Sequence, residues 1–144
     1  MSPVDRVFLD ANILFSAAYL PESRLGELWS LPKVELVTSE FALEEARRNL
    51  LAYQPEAVPL LEQLRAGITI TTEAALPLTL PDPELPEKDQ PILAAALAAG
   101  CTHLLTGDAR HFGHLYGHTI AGVLVLTPAQ YFRKLQARRR RGRR

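Results

Sequence analysis

Five short runs of branched and other apolar residues, at 4–9, 34–38, 68–72, 102–106 and 123–126, alternate with helix-forming chain and constrain this sequence more than any other feature. Strands separated by helices build a parallel sheet covered on both faces, so a three-layer α/β/α domain is expected. Helices are predicted over 13–20, broken at Pro21, and again over 23–31. Others are expected from Ser39, as N-cap, to about Tyr53, from Pro55 to Ala66, over 87–99 before Gly100, around 109–116, and from Pro128 onward. Residues 76–86 hold four prolines and read as an extended loop.

With 144 residues the chain suits one core. Its longest apolar run, 92–99, is far short of the roughly 20 residues that span a bilayer, and charged Asp5, Arg6 and Asp10 are unlike a signal peptide. A lone cysteine, Cys101, allows no internal disulfide. These traits fit a cytoplasmic protein with no membrane partner. The net charge of zero hides an asymmetry, because eight of the 16 basic residues lie within 133–144 and leave 1–132 at net −8. A folded body over 1–132 and a basic tail over 133–144 without fixed structure are expected. Arg138, Arg139, Arg140 and Arg141 suit a polyanion, and they equally suit a solvated end with no dedicated partner.

Sites in such sheets form outside the carboxyl ends of the strands. Asp10 ends the first strand and Asp108 follows the fourth, while Asp89 stands in the first turn of a helix that begins at the same edge. At 100° per residue Ala42, Ala46, Asn49 and Tyr53 share one face of their helix, Glu45 lies on its flank, and Glu44 points nearly opposite. Glu44 is four residues before Arg48, the favourable order for a surface ion pair. Glu45 is therefore the acid expected to join Asp10, Asp89 and Asp108. Converging carboxylates repel, and hard divalent cations such as Mg²⁺ or Mn²⁺ offset that repulsion with oxygen-ligand chemistry. Each acid also has an ordinary reading as a turn former, cap or solvated helix residue. Phe112 and Tyr116, among His111, His114 and His118, are either stacking faces for a base or core side chains. Trp29, flanked by Leu25, Leu28 and Leu31, suits burial or a dimer seam.

The segments Val7-Phe8-Leu9-Asp10-Ala11-Asn12, Ser39 through Ala46, Lys88 through Ala96, and Leu104-Leu105-Thr106-Gly107-Asp108 resemble the PIN-domain family of metal-dependent ribonucleases. The likeness spans about 5–132 and is nearest to the VapC-like toxins of toxin–antitoxin pairs. It implies a parallel sheet of order 3-2-1-4-5 and a Mg²⁺ or Mn²⁺ site of Asp10, Glu45, Asp89 and Asp108, supported by Asn12 and Thr106. It further implies cleavage of RNA, an antitoxin partner and a homodimer. The sequence departs from the family pattern where a further acid often follows the fourth, since Ala109, Arg110 and His111 stand there. Arg110 and the tail arginines are expected to hold RNA at the rim of an otherwise acidic cleft.

Two other functions fit parts of this pattern. One is a PIN-like module that binds RNA or an antitoxin without catalysis, which four intact acids disfavour. The other is a phosphoryl-accepting receiver domain, disfavoured because Asn12 stands where a second Asp is wanted and Lys88 is not on a strand.

Overall fold

The structure, a computed structural model, describes residues 5–71 and 90–142. Six strands form one sheet, β1 (Asp5–Leu9), β2 (Val34–Ser39), β3 (Ile68–Thr71), β4 (His103–Leu105), β5 (Thr119–Ile120) and β6 (Val123–Leu126), in the order β3-β2-β1-β4-β6-β5. All neighbours are parallel except β5 and β6. The five expected strands are β1, β2, β3, β4 and β6, and they stand in the expected order. The addition is β5, joined to β6 through Ala121 and Gly122, both at positive φ (47° and 93°). Two such residues make the tight turn that suits strand twist in a hairpin.

Val7, Phe8 and Leu9 of β1, and Leu104 and Leu105 of β4, are all fully buried. Central parallel strands have helices on both faces, so they carry unbroken apolar runs rather than alternation. Around the sheet lie α1 (Ala11–Tyr19), α2 (Glu40–Tyr53), α3 (Val58–Arg65), α4 (Gln90–Ala98), α5 (Ala109–Phe112) and α6 (Pro128–Gly142). Among the described residues no helix is long and apolar enough to cross a membrane.

Local chemistry sets the helix ends near the carboxyl edge. Asp10 caps α1, which therefore starts at Ala11, two residues earlier than expected. Ser39 caps α2 by accepting a 3.1 Å hydrogen bond from the Ala42 amide. The expected helix over 23–31 is a 3-10 turn at Arg24–Ser30. Trp29 is partly buried and donates through Nε1 to the Leu64 carbonyl at 2.9 Å, while its ring closes against Gly67, where a Cβ would meet Cδ1 at 2.9 Å. That contact fits its reading as a packing residue.

The largest departure is at the carboxyl terminus, because α6 continues through Gly142 and residues 133–142 are helical rather than without fixed structure. Arg, Lys, Gln and Ala are good helix formers, so the segment extends a helix that has already begun. Its end is pinned to the sheet. Asp5 Oδ2 accepts hydrogen bonds from Tyr131 Oη at 2.8 Å and from Arg138 Nη1 at 2.7 Å.

Candidate metal centre

Asp10 is buried where β1 ends, and its carboxylate is held from three directions. The Ala11 amide donates to Oδ1 at 2.7 Å, Thr106 Oγ1 donates to Oδ2 at 2.8 Å, and Asn12 Nδ2 donates to Oδ2 at 3.1 Å. These donors fix the direction of the carboxylate. The register brings them together, since Leu9 pairs with Leu105 and the Asp10 amide donates to the Leu105 carbonyl at 3.1 Å.

Thr106 and Asn12 also shape the turn that carries Asp108. Thr106 Oγ1 accepts from the Asp108 amide at 3.1 Å, and Asn12 Oδ1 accepts from the Gly107 amide at 2.7 Å. A Cβ on Gly107 would lie 3.2 Å from Asn12 Oδ1, so glycine permits that close approach. Tyr116 braces the same strand end by donating to the Thr106 carbonyl at 2.9 Å. Burial, then the nearby Asp108 and Asp10 carboxylates, raise its pKa.

Asp108 caps α5, accepting from the His111 amide at 3.3 Å, and His111 Nδ1 stands 2.8 Å from its Oδ2. The position where the family pattern often has another acid thus holds a residue that grips Asp108.

Asp10, Glu45 and Asp108 line one cleft of about 380 Å³ together with Asn12, Phe15 and Tyr53. Glu45 is half-buried there, while Glu44 is exposed and stands 3.9 Å from Arg47. The partner expected for Glu44 was Arg48, whereas it is Arg47, which is held more closely by Glu62 at 2.6 Å. Asp89 lies outside the described residues. Among the described residues no three acidic, histidine or cysteine side chains close into a metal-ligand group. The cleft's charged donors are all carboxylate oxygens with no thiolate, which fits a hard divalent cation.

The structure separates two sets of arginines that the sequence grouped together. Arg110 is exposed in α5, two residues beyond Asp108. Arg138 instead pairs with Asp5 at the opposite end of β1, so the tail arginines are not on the rim of this cleft. Phe112 is fully buried and Tyr116 half-buried with its hydroxyl engaged, which makes both structural rather than stacking faces. Sequence reasoning did not single out Phe15 or give His111 a partner. The signal for His111 was its spacing three residues after a helix-capping Asp.

A parallel sheet with carboxylates gathered at the carboxyl ends of its central strands defines the class of α/β proteins whose chemistry sits at that edge. The chain belongs to the PIN domain family, whose model matches residues 6–110. No curated protein matches the sequence. Among solved structures it is similar to VapBC2 from Rickettsia felis bound to a DNA fragment from their promoter, with 14% identity, TM-score 0.60, and coverage of 85% of this chain and 98% of that one. It is also similar to Mycobacterium tuberculosis VapC20, a Sarcin-Ricin loop cleaving toxin, with 15% identity, TM-score 0.57, and coverage of 75% of this chain and 94% of that one. A third is VapBC-1 from nontypeable Haemophilus influenzae, with 14% identity, TM-score 0.52, and coverage of 85% and 97%.

Proposed function

We propose that this PIN domain is a Mg²⁺- or Mn²⁺-dependent endoribonuclease that acts in the cytoplasm as the toxin of a toxin–antitoxin pair. The observation that carries this reading is the joint lining of one cleft by Asp10, Glu45 and Asp108. The family and the VapC20 and VapBC likenesses support it. They also support an antitoxin partner. A homodimer rests on the family resemblance, and exposed Tyr19, Leu20, Leu51 and Tyr53 at the ends of α1 and α2 supply apolar surface for either contact.

Asp10, Asp108, Glu45 and Asp89 would hold the cation, which supplies charge neutralisation and water activation at a phosphodiester when bound. Thr106 and Asn12 aim the Asp10 carboxylate. Glu45 receives the proton of the attacking water as its oxygen bonds to phosphorus, and the bond to the leaving ribose oxygen breaks, that oxygen taking a proton from solvent water to leave as a hydroxyl. Arg110 offsets phosphate charge at the rim.

Purified protein is incubated with a structured RNA and Mg²⁺ or Mn²⁺, beside the Asp10→Asn variant and an EDTA control. Metal-dependent cleavage lost in Asp10→Asn is the expected result. Equal, metal-independent binding by both forms, with cleavage by neither, overturns the enzyme and leaves the binding module.

A further inference from the structure

We propose that the carboxyl-terminal end of α6 is a second RNA-binding site, which holds the backbone of a long RNA at the sheet edge opposite the acidic cleft. Its role in cleavage rests on the ribonuclease reading, whereas binding itself does not.

The separation follows from the path of α6. This helix leaves the carboxyl edge after β6 and returns along the sheet until Tyr131 and Arg138 meet Asp5, the first residue of β1. Asp10 is five residues further on, which at about 3.3 Å per strand residue places it on the order of 16 Å away. The arginines beyond Arg138 are therefore held at a fixed remove from the catalytic acids.

Charge and geometry point to nucleic acid. Residues 1–132 carry net −8 and repel a polyanion, while the last twelve residues carry eight cations and no acid. Arg139, Arg140 and Arg141 are exposed and make no ion pair among the described residues. Guanidinium forks match phosphate oxygens in pairs. Beside them runs a groove of about 580 Å³ with an apolar wall of Leu31, Pro32, Val34 and Leu135, lined also by Lys33, Arg139 and the Asp5–Arg138 ion pair, in which Arg138 offsets the one carboxylate. Consecutive arginines step around the helix by 100° each, so their charge faces several directions. That arrangement suits a flexible backbone lying along and around the helix. A bilayer surface would instead require cations on one face and large apolar residues on the other.

The test uses the full chain with Arg139, Arg140 and Arg141 changed together to Gln, and a second variant with all three changed to Lys. Binding of a fluorescent single-stranded RNA of about 30 nucleotides is read by anisotropy in EDTA, so that no cleavage intervenes. The Gln variant is expected to bind at least tenfold more weakly. Its log K against log salt slope should be shallower by about 2, the value for three lost phosphate contacts on a single strand. The Lys variant, which keeps the charge, should recover most of both. With Mg²⁺ present, the ratio of kcat/KM for the long RNA to that for one of about 4 nucleotides should fall at least tenfold in the Gln variant. Unchanged RNA binding by the Gln variant overturns the site, as does tighter binding of the parent to phosphatidylserine vesicles than to RNA. If the parent cleaves nothing yet loses RNA binding on the Gln change, the site stands and the ribonuclease reading falls.

Discussion

Thr106 Oγ1 donates a 2.8 Å hydrogen bond to Asp10 Oδ2, joining side chains 96 positions apart at the ends of adjacent strands. The same oxygen accepts from the Asp108 amide, so one hydroxyl ties both sheet-edge acids together.

Thr106→Val keeps the side chain's shape and deletes that hydroxyl. The Asp108 amide loses its Thr106 acceptor and Asp10 loses the Thr106 donor, in a site where Thr106 is fully buried. Urea denaturation should show a loss of about 1–3 kcal/mol. RNA cleavage should drop about 10- to 100-fold, the usual effect of removing a group that orients a metal ligand.

Glu45 and Glu44 are adjacent in sequence and differ in placement by helix geometry, Glu45 lining the cleft and Glu44 facing solvent. Glu45→Gln should reduce kcat by about 10²-fold or more, because it removes the proton acceptor from the cleft. Glu44→Gln should leave cleavage within about twofold and stability within about 0.5 kcal/mol, as expected of an exposed residue. Single-turnover kinetics on the two variants check this.

His103 makes stability depend on pH. Burial, with Arg138 and Lys134 adding and Asp5 opposing, holds its pKa below the ordinary 6.5. Its Nε2 is buried with no hydrogen-bond partner among the described residues. The unfolded chain takes up a proton near 6.5 that folded His103 refuses, so stability is complete above that pH and falls as the pH drops toward the folded pKa. One such proton sets an upper limit of about 1.4 kcal/mol per pH unit on the slope. His103→Phe should flatten the fall in stability that begins near pH 6.5, as read by chemical denaturation across that pH. Burial raises the Asp5 pKa, but hydrogen bonds from Arg138 and Tyr131 outweigh it and leave a net lowering. The Asp5 contribution is therefore lost only below about 3.8.

Cys101 is buried, and its thiol is pushed up to about 11, chiefly by burial, with Glu35 adding and Arg6 opposing. Two units above the ordinary 9.0 leave about a hundredfold less thiolate at a given pH. Alkylation by iodoacetamide near pH 8 should therefore be at least about a hundredfold slower in the native protein than in urea.

Much of the fold is legible from local signals. Apolar strand runs, Ser39 before an acidic helix start, and Gly100 after a helix read directly as elements. The preference for Glu45 over Glu44 follows from 100° per residue, and the structure places Glu45 in the cleft and Glu44 in solvent. The strand β5 is only two residues long and carries no periodic signal. The length of α6 was illegible because its arginine-rich end has the composition of a solvated tail. Its anchoring depends on Asp5, 133 residues away. Phe112 reads alike as a core ring or a stacking ring until its surroundings are known.

By itself the sequence determined the alternation of strand and helix, the caps at Asp10 and Ser39, and the acids available at strand and helix ends, since each depends on a few neighbouring residues. Only the tertiary structure decided that Thr106 and Asn12 converge on Asp10, that His111 grips Asp108, and that the arginines of α6 stand across the sheet from the cleft. Those relations depend on strand register and on the return path of a helix, which arise from packing between segments about a hundred residues apart.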